Sequence, residues 1–178
     1  MSFARIAAVL SLVCLSAPSA SAPERSGECC ARYPLDRTRP MQPEGLTICA
    51  SSLGPSETVD RLAAAVADRG MAILARIDHA AAAAAVGLEL RPTTVLIFGN
   101  PRAGTPLMKQ AQTLSIDLPL KALVWEDEHG LTWLAYNDPT WIAQRHGAGN
   151  GAVFVAAMTD ALAAVSRRAT TKTTGDEP

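Results

Sequence analysis

The sequence predicts an α+β fold: a two-layer sandwich in which a mixed or antiparallel sheet of roughly four to five strands has its helices packed on one face. Strand-like and helix-like patterns alternate through the first half, and two strands joined by a short turn then form a hairpin. These patterns lie within about 125 residues, which suffices for one hydrophobic core. The hairpin and the short domain favour this fold over a parallel α/β sheet.

The strands are predicted from apolar or alternating runs bounded by glycine, proline and polar turn residues. They cover residues 46–51, 71–77, 93–98, 120–126 and 131–136. The run 93–98 is β-branched and almost wholly apolar, so we expect it to be a central strand rather than an edge strand. Gly130 ends the turn between the last two strands.

Each helix is predicted from a capping residue or proline at its start and from apolar residues on one face. The predicted helices start near residues 55, 78, 105, 138 and 150. Asp78 and Asn150 are the expected N-caps of the second and last helices. Thr105 is expected to cap the middle helix, with Pro106 in its first turn, so that residues 99–104 form a loop.

The first 22 residues have the layout of a secretory signal peptide. Arg5 gives a positive start, residues 6–17 are apolar, and Ala20-Ser21-Ala22 matches an A-x-A cleavage site. The apolar run is too short for a permanent transmembrane helix, so we expect a periplasmic or secreted protein without a permanent membrane anchor. A linker is expected at 23–43, the domain at 44–166, and a disordered tail at 167–178.

Cleavage after Ala22 leaves three cysteines, Cys29, Cys30 and Cys49. In an oxidising compartment an odd count leaves a spare thiol or an intermolecular bridge. Cys29 and Cys30 lie in the linker, where they can pair with Cys49, bind a soft metal or bridge another chain. We expect a disulfide from this pair to Cys49, and the cysteine spacing matches no zinc site.

The charge balance restricts the classes of partner. The net charge is −1, without the lysine and arginine excess that nucleic-acid binding needs to displace counterions from phosphates. The same charge balance argues against an electrostatic membrane anchor. Aromatic residues make up only 4% of the chain, so the core is expected to consist of Val, Leu, Ile and Ala.

Several ordered sequence blocks with matching spacing resemble the domain of unknown function DUF302. The blocks are Leu90-Arg91-Pro92-Thr93, Ile97-Phe98-Gly99-Asn100-Pro101, Gly104-Thr105-Pro106-Leu107-Met108, Asp117-Leu118-Pro119-Leu120-Lys121, Val124-Trp125-Glu126-Asp127, Tyr136-Asn137-Asp138-Pro139 and Arg145-His146-Gly147. The resemblance covers the domain from about Gly45 to the last helix. It implies a small α+β domain that forms a homodimer, and it implies no particular reaction. An open apolar sheet face pairing across a dimer fits the same expectation.

The loop after the central strand is the first candidate site. Free backbone N–H groups between Gly99 and Thr105, with Asn100 and Gly104 among them, can hold an anion, as helix N-termini do. The alternative is that glycine and proline only shape a tight turn, because the loop is neither a P-loop nor a dinucleotide-binding fingerprint.

Four further residues are candidates for ligand binding or chemistry. His79 follows a strand, where an imidazole can act as a general base or bind a metal or haem, or only bond to nearby backbone. Arg91 either pairs with Asp117 or binds a carboxylate or phosphate. Lys121 beside Asp117 can take part in proton transfer.

These residues support three hypotheses. The first is a non-enzymatic module that binds a small anion or organic molecule in a groove formed by the 99–105 loop, Arg91 and His79. The second is a small enzyme that uses His79, Asp117 and Lys121 for acid–base chemistry. The third is a metal or haem carrier that uses His79 and Met108, with Cys29 and Cys30 as further weak metal candidates. The sequence indicates no particular cofactor or ligand.

Overall fold

The computed structural model describes residues 43–148 and 152–172. The predicted leader, Cys29, Cys30 and the Asn150 cap lie outside these residues. Five strands form one sheet: β1 (Leu46–Ser51), β2 (Ala72–Asp78), β3 (Thr93–Gly99), β4 (Leu120–Glu126) and β5 (Thr132–Asn137). Five α-helices are described, namely α1 (Pro55–Asp68), α2 (His79–Ala84), α3 (Pro101–Gln110), α4 (Pro139–Arg145) and α5 (Ala152–Thr170), with a 3₁₀ turn at Gln112–Ile116.

The strand order is β1-β5-β4-β3-β2, and every neighbouring pair is antiparallel. The structure therefore confirms the α+β class and fixes the sheet as antiparallel rather than mixed. Hairpin pairing of β4 with β5 agrees with the short turn predicted between them. The predicted central strand, β3, lies between β4 and β2.

The main core lies between the sheet and the helices. Because side chains alternate across a strand, Leu134 and Tyr136 of β5 face this core, together with Ala122 and Val124 of β4. The helices contribute Leu62 and Val66 from α1 and, from α5, the residues Met158, Leu162 and Val165. The apolar residues of α1 and α5 recur at helical spacing, so burying one face of each helix closes the layer.

A second, smaller apolar cluster lies on the other face of the sheet. Ile48, Trp133 and Ala135 are buried there, and Leu46, Ala50, Trp125 and Leu131 pack against them. The rings of Trp125 and Trp133 are stacked, with centroids 6.4 Å apart. None of the described helices combines the length and apolar character needed to cross a membrane.

The ends of two predicted elements differ from the structure. The last helix continues four residues past the predicted domain end at Ser166 and ends at Thr170. Ala169 is fully buried, and Ser52 donates its backbone N–H to the carbonyl of Thr170 at 2.9 Å. Burial and this hydrogen bond tie residues 167–170 to the domain, so the tail predicted from Arg167 begins too early.

Candidate functional site

An apolar opening lies between α3, α5 and the β2–β3 end of the sheet, and we call it the α3–α5 groove. Its volume is about 440 Å³. Its large apolar lining side chains are Met71, Leu74, Met108, Leu118, Leu120, Phe154 and Met158. Leu74 is 60% exposed and Phe154 is 37% exposed, so these two side chains stand at the opening.

Helical spacing in α5 builds one wall of the groove. Phe154, Ala157, Met158 and Ala161 line it at positions i, i+3, i+4 and i+7, which share one face of an α-helix. Phe154 shares its helix face with the buried residues Met158, Leu162 and Val165. The structure leaves it partly exposed, because it lies over the groove rather than in the core.

Gly104 on α3 allows a close approach in the opposite wall. A Cβ added at this position would lie 3.3 Å from Cδ1 of Leu118 and 3.8 Å from Cε of Met108. The first distance is tighter than an ordinary van der Waals contact, so glycine lets α3 approach the segment that leads into β4. Gly104 therefore shapes the groove through its small size.

The predicted loop at 99–104 is largely helical, and the predicted cap is wrong. α3 begins at Pro101, and Asn100 is its N-cap, with its side-chain Oδ1 accepting the N–H of Arg102 at 2.9 Å. The N–H groups of Ala103 and Gly104 donate to the carbonyl of Asn100. These amides already have acceptors, so the anion site expected from free backbone N–H groups does not form with them. Thr105 lies within α3 and is exposed.

A cluster of polar side chains is centred on Asp117, the residue that precedes the groove-lining Leu118. Oδ2 of Asp117 lies 2.7 Å from Nε2 of His146 and 3.3 Å from a terminal nitrogen of Arg145. The other imidazole nitrogen, Nδ1, is 3.0 Å from Oγ1 of Thr113. The side chains of Asp117 and His146 are only 11% and 8% exposed. We call Thr113, Asp117, Arg145 and His146 the Asp117 cluster.

When His146 is neutral, its two hydrogen-bond partners decide which ring nitrogen carries the proton. An ionised carboxylate can only accept, so Nε2 donates to Asp117, and Nδ1 accepts from the hydroxyl of Thr113. Hydroxyl, imidazole and carboxylate are then arranged as nucleophile, base and orienting group are in acyl-transfer enzymes. Arg145 also binds the same carboxylate, and its guanidinium lies 5.5 Å from the centre of the Trp141 ring.

Asp117 therefore has different partners from those predicted. Arg91 is exposed, and its Nε donates to the carbonyl of Glu126 at 3.3 Å, so the expected Arg91–Asp117 bridge is wrong. Lys121 is close to Asp117, but its Nζ donates to the backbone carbonyls of Asp117 and Pro119, at 3.1 and 3.2 Å.

His79 lies away from the other candidates. Asp78 pairs with Thr94, whereas Ala72, at the other end of β2, pairs with Gly99. At about 3.3 Å per residue these ends are roughly 17 Å apart, so the groove predicted from the 99–105 loop, Arg91 and His79 is not formed. Lys121 pairs with Ile97 on β3, which puts it roughly 14 Å from the His79 end of β2 by strand spacing. The acid–base set of His79, Asp117 and Lys121 is therefore not assembled.

The metal candidates are not brought together either. Met108 lines the groove, at the sheet end opposite His79. Within residues 43–148 and 152–172, no three His, Cys, Asp or Glu side chains are grouped as metal ligands. Cys49 is buried, and its expected bridge to Cys29 or Cys30 stays a prediction because those two residues are not described.

Sequence reasoning missed two parts of this region. His146 is the C-cap of α4, but its contact with Asp117 joins residues 29 positions apart. Thr113 is not among the predicted site residues. Two features of the sequence could have suggested the contact. One is the basic Arg145-His146 pair at the end of a predicted helix, and the other is the acid before Leu118-Pro119.

In the hairpin turn, the pKa of the Asp127 carboxyl is displaced from its ordinary value. Burial raises the pKa of the Asp127 carboxyl, but hydrogen bonds from the Trp133 indole and from the backbone N–H groups of Leu131 and His129 outweigh it. With the nearby His129 imidazole, they hold the pKa of Asp127 below its ordinary value of 3.8. This carboxylate closes the turn and takes no part in the groove.

The fold and the groove define a small antiparallel α+β domain with an open apolar pocket on its helical side. Residues 48–165 match the profile of the family described as domain of unknown function DUF302. The chain belongs to this family, which confirms the resemblance noted in its sequence.

A solved structure shares the fold. The crystal structure of an uncharacterised conserved DUF302 protein from Bacillus stearothermophilus superposes with a TM-score of 0.65 and 21% sequence identity. The match covers 71% of this chain and 99% of that one.

Curated relatives from Brucella are more similar in sequence. The chain is 41% identical over 150 residues to the fluoride-specific ion channel FluC 1 of Brucella suis, and the match covers 82% of this chain and 57% of the relative. FluC 1 of Brucella abortus is also 41% identical, and that match covers 82% of this chain and 54% of the relative. The chain thus spans a little over half the length of these relatives.

Proposed function

We propose that this domain is a small-molecule binding module and that its site is the α3–α5 groove. The observation that carries the proposal is a concave apolar surface of about 440 Å³, lined by large side chains from three separate parts of the fold. Ligand pockets of proteins typically measure about 300–1,000 Å³ and are mostly apolar with a few polar groups. An organic molecule fits this lining better than a bare inorganic ion, which would lose its hydration without gaining enough polar contacts.

The Brucella relatives make fluoride a necessary control ligand. Their name describes a fluoride-specific ion channel, but the match spans only a little over half of each protein. We therefore do not carry channel activity over to this chain. If the domain binds an apolar molecule, adding fluoride leaves the binding of an apolar probe unchanged.

Neighbouring alanines on α5 provide a matched test of the groove. Ala157 lines it, whereas Ala156 is also exposed on the same helix and does not line it. Binding of Nile red, an uncharged apolar dye, is followed by fluorescence, and circular dichroism confirms that both variants are folded. We expect Ala157→Trp to weaken binding about tenfold or more, and Ala156→Trp to change it less than about twofold. Equal binding by both variants, or no binding by the native chain, would refute the proposal.

Acid–base chemistry is a second candidate because the Asp117 cluster places a hydroxyl, an imidazole and a carboxylate in hydrogen-bonded series. The test is hydrolysis of p-nitrophenyl acetate by the native chain and by His146→Gln. Turnover that the substitution abolishes would establish this candidate. The binding module predicts the same background rate for both proteins.

Export and dimer formation stay predictions. The homodimer is supported by the Ile48–Trp133–Ala135 cluster, which lies on the sheet face opposite the main core. Sedimentation of the native chain and of Trp125→Glu, a partly buried position beside that cluster, tests it. A dimer requires the native chain to sediment at twice its monomer mass and the variant to shift toward the monomer.

A further inference from the structure

We propose that the ligand of the α3–α5 groove has an aliphatic body and a single anionic head group, and that Arg69 binds this head. The inference rests on the proposed function, since it names the class of molecule that the groove takes. It follows from the few polar groups that the groove presents.

Arg69 is the single charged residue among the described residues that line the groove. It is the C-cap of α1 and is exposed, two residues before Met71, which also lines the groove. Within the described part of the chain its guanidinium has no ion-pair partner. The adjacent carboxylate, Asp68, lies 2.6 Å from Arg168 instead. Arg69 is therefore a cation at an apolar opening, and the nearest acid in sequence is already paired. An anion supplied by the ligand can pair with it.

Asn100 adds a second donor to the groove. Its Oδ1 already accepts the N–H of Arg102, and its amide NH₂ can donate to a ligand. The two polar lining side chains, Arg69 and Asn100, therefore both offer N–H donors, which suit carboxylate or sulfate oxygens. Charge-assisted hydrogen bonds of this kind are about twice as strong as neutral ones.

The rest of the groove fits an aliphatic body. Met71, Met108 and Met158 line it, and methionine side chains have enough rotatable bonds to adapt to irregular apolar shapes. The structure therefore assigns recognition of the head group to Arg69, while the methionines tolerate some variation in the shape of the body.

The experiment compares three probes with the same ten-carbon chain: decanoate, decanol and decylamine. Binding to the native chain, to Arg69→Ala and to Arg167→Ala is measured by isothermal titration below the micellar concentration of each probe. Arg167 is an exposed arginine in the last turn of α5 that does not line the groove, so its variant controls for loss of a surface charge.

We expect the native chain to bind decanoate most tightly and decylamine least. Arg69→Ala should weaken the binding of decanoate about tenfold and change the binding of decanol less than about twofold. Arg167→Ala should change neither affinity. Raising the salt concentration should weaken decanoate alone, because the ion pair is partly solvated.

Two results would overturn the inference while leaving the binding module intact. One is equal affinity of the native chain for decanoate and decanol. The other is equal weakening of both probes by Arg69→Ala, which would show that Arg69 acts by packing alone. Failure of all three probes to bind the native chain would instead contradict the proposed function itself.

Discussion

The imidazole of His146 lies 2.7 Å from the carboxylate of Asp117, which joins the end of α4 to the 3₁₀ turn across 29 positions of the chain. Both side chains are nearly buried, and Arg145 provides a cation for the same carboxylate. The contact fixes the segment that leads into β4 and into the Leu118 wall of the groove.

Removing the Asp117 carboxylate should destabilise the domain. Asp117→Ala leaves the buried imidazole without its acceptor, and loss of a hydrogen bond to a charged group costs about 1.5–3 kcal/mol. Urea unfolding measures the change in the free energy of unfolding. Arg145→Ala is the control: this arginine is half exposed and its contact is longer, so we expect a loss below about 1 kcal/mol. A larger loss for Arg145→Ala than for Asp117→Ala would contradict the account.

Substitution of Gly45 should be far more costly than substitution of another glycine with the same backbone conformation. Gly45 has φ +75°, and an added Cβ would meet the Trp141 ring atoms at 2.3–2.6 Å, whereas Gly130 has φ +74° and nothing within 4 Å. Gly130→Ala carries the left-handed backbone cost alone, about 1–2 kcal/mol. Gly45→Ala should cost about 1–3 kcal/mol more, because the added methyl displaces the indole. Equal losses in thermal unfolding would show that the Trp141 contact is unimportant.

The Asp127 carboxylate should make the domain sensitive to acid. The pKa of Asp127 is held below 3.8 in the folded state. Its contribution to the free energy of unfolding is therefore complete above the pKa of the unfolded chain. That contribution is lost as the pH falls through the lower folded-state pKa. Asp127→Asn should reduce stability by about 1 kcal/mol at pH 7, since an amide keeps only one acceptor oxygen for the three donors. The difference between the two proteins should shrink below about pH 4. A difference that is constant from pH 7 to pH 3 would contradict this explanation.

Truncation should distinguish the structural end of the domain from the predicted one. A chain ending at Lys172 keeps buried Ala169 and the bonds between Ser52 and Thr170, and we expect the stability of the full chain. A chain ending at Ser166 loses two hydrogen bonds to Ser52 and a fully buried alanine, which together cost about 2–3 kcal/mol. Denaturation of both truncated chains measures this difference. Equal stability would support the earlier boundary.

Local patterns were sufficient where an element depends on its own residues. The predicted bounds of Leu46–Ser51 and Leu120–Glu126 agree with the structure because alternation and flanking turn residues mark both ends. Asp78 caps α2 as predicted, with its side chain accepting the N–H of Ala81 at 2.9 Å. Gly70 follows α1 with φ +68°, as a residue after a helix end often does.

The start of α3 was mispredicted because the sequence offers two cap–proline pairs, Asn100-Pro101 and Thr105-Pro106. The structure uses the first and keeps Pro106 inside the helix. Asparagine is at least as good an N-cap as threonine, so cap preference alone could have favoured the earlier start. The choice of Thr105 as the cap left residues 101–104 as a predicted loop, although the structure has them in α3. The anion site expected in that loop is therefore unsupported.

The groove and the Asp117 cluster could not be predicted from local patterns. Met71, Met108 and Met158 come from three distant parts of the chain, and only the packing of α3 and α5 on the sheet brings them together. Asp117 and His146 are joined in the same way by tertiary packing. Spacing along the chain reports helix and strand faces, but it does not report which faces meet.

The central claim, that the α3–α5 groove binds an organic ligand, is tested most directly by a crystal structure of the protein grown with 10-bromodecanol. Anomalous scattering from bromine locates the probe. We predict a bromine peak within the groove, in contact with Met108 or Phe154. A peak only against Trp125 and Trp133 on the other sheet face, or no bromine peak at all, would contradict the account.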